Sequence, residues 1–284
     1  MKKYIRLIRV KHYIKNLLIF LPVIFSQRLT NIPDLIKTII AFIIFCIATS
    51  IIYIFNDIKD IEKDKKHYKK RFRPLASGEI SKKKAVILII LLLVILILIS
   101  AIFLRKNIYA ILIIAVYLFI NILYSIKLKN VPIIDVTILA IGFLIRVIFG
   151  AVIIPIEISN WLYLTILALS FYMGMGKRRN EFEKRNVNEE TREVLKQYSM
   201  NFLNENMYMF LGLSIMFYSL WSLEMSTKFE NIMFTIPFVI IIALKYSLNI
   251  EKESDGDPVD VILGDKILIF LSIILAILLG LMLY

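Results

Sequence analysis

Long apolar runs leave this chain few ways to fold. Cut at its charged and polar breaks, the sequence gives nine such runs, near 15–27, 35–56, 83–104, 107–124, 132–154, 158–176, 205–225, 232–249 and 265–284. A bilayer core of about 30 Å takes about 20 helical residues, and most of the runs reach that length. The first is shorter and is interrupted by Pro22. With 59% hydrophobic residues and mean hydropathy +0.77, the sequence predicts an all-α integral membrane bundle of about nine transmembrane helices. No linker or low-complexity stretch divides it, so residues 1–284 are expected to form a single transmembrane domain. Charges continue through Lys15 and no small-residue cleavage site follows the first apolar run, so no cleaved signal peptide is expected.

The distribution of basic residues sets the orientation. With the N-terminus inside, the segments 1–16, 57–84, 125–131, 177–198 and 245–266 face the cytoplasm, and they hold 29 of the 35 Lys and Arg residues. Short loops rich in Lys and Arg stay on the cytoplasmic side. The expected location is therefore the plasma membrane, multi-pass, with the N-terminus and the polar loops in the cytoplasm. Basic loops facing anionic lipid also account for most of the net charge of +13. Nucleic acid is not an expected partner, because no soluble domain combines basic residues with stacking aromatics. The single cysteine, Cys46, lies in the second run and excludes disulfides within the chain. His12 and His67 have no ligand spacing to another histidine or to a cysteine.

Function is expected in the longer polar loops, 57–81 and 177–203. The first opens with Asn56, Asp57, Asp60 and Asp64. At about 100° per residue these four side chains fall within roughly 100° of one helix face. Crowded acids need an offsetting charge, and Mg²⁺ held by one or two carboxylates and completed by phosphate oxygens supplies it. Lys69, Lys70, Arg71 and Arg73 follow at once, and guanidinium groups bind phosphate through two parallel hydrogen bonds. Pro74 and Gly78 fit a tight turn, and Ser81 fits the N-cap of the third span. A charged helix end without a ligand is the plain alternative.

Three further sets stand out. Gly174-Met175-Gly176-Lys177-Arg178-Arg179-Asn180-Glu181 ends the sixth run. It reads either as a lipid-headgroup anchor or, given glycines that allow close backbone approach, as a binding element. Tyr124, Lys127, Lys129, Asp135 and Arg146 form another set. The eleven residues from Asp135 to Arg146 leave a net rotation of only about 20°, so both side chains point the same way. An intramembrane Arg146 must face a polar interior, as a functional group or in a structural ion pair. Lys15 and Asn16, where the first run leaves the cytoplasmic surface, read equally well as an interfacial pair or as binding residues.

Together these residues resemble the UbiA superfamily of intramembrane prenyltransferases. Asn56-Asp57-x-x-Asp60-x-x-x-Asp64 with Arg71-x-Arg73-Pro74-x-x-Ser77-Gly78 is similar to its first aspartate-rich motif. The second such motif, after the sixth span, has no counterpart here: Gly176-Lys177-Arg178-Arg179-Asn180-Glu181 contains no aspartate. That stretch resembles the Gly-Lys-Arg element of one branch, the decaprenyl-phosphate phosphoribosyltransferases. Lys15-Asn16, Tyr124-Ser125-x-x-Leu128-Lys129 through Asp135 to Gly142-Phe143-x-x-Arg146, and Gly256-Asp257-Pro258 leading to Asp265-Lys266 extend the similarity.

The resemblance implies phosphoribosyl diphosphate as donor and a polyprenyl phosphate as acceptor, with Mg²⁺ as cofactor. It implies catalytic and metal-binding roles for Asn56, Asp57, Asp60 and Asp64, with Asp60 and Asp64 leading. Substrate binding would fall to Lys15, Asn16, Arg71, Arg73, Tyr124, Lys127, Lys129, Asp135, Arg146, Lys177, Arg178 and Glu181. The bilayer is the surrounding partner, and self-association is compatible with such a bundle. Charge supports the branch: donor and acceptor together carry a diphosphate and two separate phosphates, which need more than one cationic subsite. The competing readings are prenyl transfer to a small acceptor, for which Glu181 and Glu183 would replace the missing acids, and transport of a phosphorylated solute, for which a repeat of broken helices would be expected.

Overall fold

The computed structural model describes residues 2–67, 69–184, 193–251 and 256–284. The described residues are helical throughout, with no strand among them. In chain order the helices are α1 (Lys2–Leu7), a 3₁₀ segment (Val10–Phe20), α2 (Leu21–Phe25), α3 (Ile32–Lys59), α4 (Ile61–Lys66), α5 (Lys82–Phe103), α6 (Ile108–Ile126), α7 (Ile134–Ile153), α8 (Asn160–Glu183), α9 (Met200–Met225), α10 (Thr235–Glu251), α11 (Pro258–Leu263) and α12 (Lys266–Leu283). Shorter 3₁₀ turns lie between some of them. Among the described residues, six segments are long and apolar enough to cross a membrane: Ile32–Lys59, Lys82–Phe103, Ile108–Ile126, Ile134–Ile153, Ile232–Glu251 and Lys266–Leu283. The chain is a multi-pass membrane protein.

Local chemistry sets many of the helix ends. Asn31, Ser81, Asn107, Ser199 and Asp265 each accept a hydrogen bond from the backbone N–H three residues on, satisfying a donor the helix leaves unpaired. The expected first span differs most from a continuous helix. Its residues form a 3₁₀ segment up to Phe20 and then a five-residue helix that begins beside Pro22. Proline has no N–H to donate to a preceding turn, so it starts a helix more readily than it continues one. At the sixth run the helix instead continues past the apolar residues to Glu183, so Lys177, Arg178 and Glu181 are helical rather than part of a loop.

The described residues divide into two compact units, one within 1–138, 145–156 and 186–194, the other within 139–144, 157–185 and 195–284. In the first, α3 carries the core: Ile44, Phe45, Ala48 and Ile54 are fully buried along it. The Phe45 ring meets Tyr117 and Phe149 at centroid distances of 4.6 and 5.5 Å, within the range of favourable aromatic pairs. Helix α5 by contrast leaves Ile87, Ile97 and Ile102 about two-thirds exposed, as a lipid-facing helix does. In the second unit α8 packs along α9, and α10 along α12. Lys245 of α10 bonds Asp265 at 2.8 Å. That hydrogen bond, helped by the Leu268 N–H, holds the Asp265 carboxyl down to about 2.

Candidate active site

The acidic motif sits where α3 turns into α4. Helical bonding carries through the corner, because the Asp60 N–H donates to the Asn56 carbonyl (3.0 Å) and the Asp64 N–H to the Asp60 carbonyl (2.8 Å). Asp60 itself caps α3 with φ −100° and ψ 10°, outside helical values. The corner splits the acids by partner. Asp57 and Asp64, both nearly buried, share one guanidinium nitrogen: Arg73 Nη1 donates to Asp57 Oδ1 at 3.2 Å and to Asp64 Oδ2 at 2.7 Å. Asp60 turns to Lys129, whose Nζ donates to both carboxylate oxygens at 2.6 and 2.9 Å. The structure thus couples Asp57, rather than Asp60, with Asp64. Half-buried Asn56 lies one residue before Asp57 on the same turn.

A third cation completes the set. Arg9 donates to Asp57 Oδ1 and lies over the Tyr53 ring, 4.9 Å from its centroid. Charges this far from water are tolerated when each has a partner, and removing one member exposes the other to the full desolvation cost. The turn after α4 supports Arg73. The Gly78 N–H donates to the Leu75 carbonyl and the Ile80 N–H to the Pro74 carbonyl, and Gly78 takes φ +79°, a conformation that favours glycine. Leu75 and Ile80 anchor this turn in a buried cluster with Leu7, Ile54 and Ala85.

Not every expected binding residue joins this set. Arg71 is exposed and stacks on the neighbouring Phe72 ring, 4.9 Å from its centroid. Lys127 is exposed at the end of α6, whereas Lys129, two residues on, is turned inward. Tyr124 and Lys15 are half-buried, and Asp135 is fully buried in the first turn of α7. Asn16 and Arg146 meet each other: Arg146 Nε donates to Asn16 Oδ1 at 2.8 Å. The Arg146 guanidinium lies 5.1 Å from the Phe45 centroid and 5.4 Å from that of Tyr117, whose hydroxyl accepts from Nη2 at 3.4 Å. Asn16 also donates to Cys46 Sγ (3.2 Å) and Thr49 Oγ1 (3.3 Å). Cation–π contacts and hydrogen bonds thus surround this buried charge.

The second unit has its own charged set on α8. Arg178 is fully buried, and its Nη1 donates to Glu181 Oε2 at 2.7 Å. Burial separates Arg178 from a headgroup anchor, which keeps its charge in water. Lys177 lies 3.7 Å from Asp257, and Asn180 Nδ2 donates to the Ile250 carbonyl at 2.8 Å. Gly256 makes the close approach here: with φ +69°, a Cβ on it would stand 2.8 Å from Lys177 Cα. A side chain at 256 would push the 256–257 backbone off α8.

The donor set in the first unit consists of carboxylates and an amide, which suit a hard cation such as Mg²⁺. Among the described residues no three His, Cys, Asp or Glu side chains form a group that would hold a metal alone. Mg²⁺ usually takes one or two carboxylates and completes its shell with water and substrate phosphate. Asp57 and Asp64, already bridged by a single nitrogen, fit that mode. Sequence reasoning missed Arg9 and Tyr53. Arg9 sits at φ 55°, ψ 50°, a left-handed conformation that nothing in an arginine predicts; its only signal was a basic residue six positions before Lys15.

Known proteins resemble this chain over most of its length. Residues 17–257 match the UbiA prenyltransferase family. The decaprenyl-phosphate phosphoribosyltransferase of Corynebacterium glutamicum is 30% identical over 283 residues, covering 95% of this chain and 83% of the relative. That of Mycolicibacterium smegmatis is 31% identical over 282 residues, covering 93% and 87%. Among solved structures, a UbiA homologue from Archaeoglobus fulgidus bound to GPP and Mg²⁺ has a TM-score of 0.72 at 20% identity, covering 98% of this chain and 97% of that one. From the match of residues 17–257, the chain belongs to the UbiA prenyltransferase family.

Proposed function

We propose that this membrane transferase moves a 5-phosphoribosyl group from phosphoribosyl diphosphate to a polyprenyl phosphate at the cytoplasmic face of the plasma membrane, releasing diphosphate. The observation that carries this reading is the all-cationic start of the 177–181 stretch, with Arg178 buried beside Glu181. Similarity to two decaprenyl-phosphate phosphoribosyltransferases supports it over most of the chain.

Asp57 and Asp64, with Asn56 and Asp60 adjacent, would hold Mg²⁺, and the bound ion would neutralise charge on the departing diphosphate. Arg73 and Lys129 keep these carboxylates in place and present N–H donors beside them. Lys177 and Arg178 provide cationic charge for a separate phosphate. In the reaction, an oxygen of the acceptor phosphate bonds to the anomeric carbon as the bond from that carbon to diphosphate breaks. The acceptor oxygen is already ionised, so no strong general base is required. Positioning and fixed charge are then the main sources of rate. Arg146, held by Asn16 and two aromatic rings, fixes the packing of α7 against α3 and α6 in the first unit.

The test is incubation of the purified protein with Mg²⁺, labelled phosphoribosyl diphosphate and polyprenyl phosphate, followed by lipid extraction. Label in the lipid phase is expected, dependent on both the acceptor and the divalent cation. No lipid-soluble label, together with transfer from a prenyl diphosphate to a small acceptor, would overturn the reading in favour of prenyl transfer.

A further inference from the structure

Arg9 belongs to none of the motifs that carry the family resemblance, yet it touches the most buried acid of the cluster. Asp57 is 2% exposed and has two guanidinium partners, Arg9 and Arg73, on one oxygen. Asp64 relies on Arg73 and Asp60 on Lys129. Among the described residues, these three carboxylates are thus paired with three cations, Arg9, Arg73 and Lys129. A divalent cation bound to the same oxygens would add positive charge to the cluster and compete for carboxylate oxygens with the side chains already bonded there.

Arg9 is built to remain in place when that happens. The flat face of its guanidinium rests on Tyr53, 4.9 Å from the ring centroid, so stacking fixes its position independently of Asp57. Stacking uses the face and leaves the N–H edge for an oxyanion, and that edge suits phosphate as well as carboxylate. The backbone of Arg9 is also held at φ 55°, and such unfavourable conformations in non-glycine residues gather at ligand sites. We propose that Arg9 is an exchangeable counter-ion: it neutralises Asp57 while the donor is absent, and binds the donor's diphosphate once a divalent cation takes the carboxylate. The inference rests on the metal-diphosphate reading of this site.

Two binding measurements without turnover test it: Mn²⁺ binding by electron paramagnetic resonance, and inorganic diphosphate binding in Mg²⁺ by calorimetry. Arg9→Gln removes a cation that competes with the metal, so Mn²⁺ alone should bind several-fold more tightly than in wild type. Diphosphate should bind about tenfold more weakly, the scale of one charge-assisted hydrogen bond. Arg9→Lys keeps the charge without the fork and should show a smaller diphosphate defect with Mn²⁺ affinity near wild type. Should Arg9→Gln fail to fold, Tyr53→Leu removes the platform instead and should weaken diphosphate binding while leaving Mn²⁺ affinity within twofold. Unchanged affinities in Arg9→Gln would overturn the inference. Parallel weakening of both ligands would also overturn it, because it would make Arg9 a structural tie between the N-terminal segment and α3. Wild-type protein that binds neither probe would instead refute the metal-diphosphate reading itself.

Discussion

Arg71 and Arg73 stand two positions apart in one basic run, and composition treats them alike. The structure separates them. Arg73 spans Asp57 and Asp64, whereas Arg71 is exposed and lies against Phe72. Replacing Arg73 with Ala leaves two nearly buried carboxylates with one cation fewer, and the loss of one charge-assisted partner at an active site typically costs about 10²–10³ in kcat. Arg73→Ala is therefore expected to lower the initial rate of lipid labelling by that order, and Arg71→Ala to leave it within about threefold. Equal defects would place Arg71 at the substrate and contradict the division seen here. The same lesson applies to Lys127 and Lys129. Residue type made all four candidates, but which ones turn inward depends on the cap at Lys127 and the corner at Asp60. The motif was legible because acids and bases alternate with distinctive spacing. The partner of each acid was not, because Arg9 and Lys129 lie 48 and 69 residues from the aspartates they meet.

At the scale of elements the apolar runs mapped well onto helices, since hydropathy and length reflect the same demand for internally satisfied backbone. Reading failed at two boundaries. Residues 10–25 tighten into a 3₁₀ segment and a short helix, and α8 runs on through polar residues to Glu183. Neither change alters hydropathy, so neither is visible in it. The 3₁₀ segment also has a packing consequence that sequence alone conceals. A Cβ at Gly150 of α7 would stand 2.2 Å from the Ile19 carbonyl oxygen, and backbone cannot swing aside as a side chain does. Overpacking of this kind costs typically 1–3 kcal/mol. Gly150→Ala should therefore lower the unfolding temperature in detergent by several degrees. Gly212→Ala on α9, where nothing lies within 4 Å, should not lower it. Equal melting temperatures for Gly150→Ala and wild type would mean that α7 is not seated on the 3₁₀ segment in this way.

For the whole molecule, the proposed function depends on which side of the bilayer the acidic corner faces, because a phosphorylated sugar donor does not cross hydrocarbon. The distribution of basic residues predicts that the 57–84 segment faces the cytoplasm and the stretch around Lys228 the opposite side. The sequence supplies its own labelling background, since Cys46 is the single cysteine and is buried. Cys46→Ser keeps an acceptor for the Asn16 amide, which donates to Cys46 Sγ at 3.2 Å. In that background, cysteines introduced singly at the exposed positions Lys65 and Lys228 report each face to a membrane-impermeant maleimide. Intact cells should label Lys228→Cys and not Lys65→Cys, and permeabilised cells should label both. Labelling of Lys65→Cys in intact cells would put the acidic corner outside. It would cut the site off from a cytosolic donor, and phosphoribosyl transfer would fail as the activity even with every side chain of the corner in place.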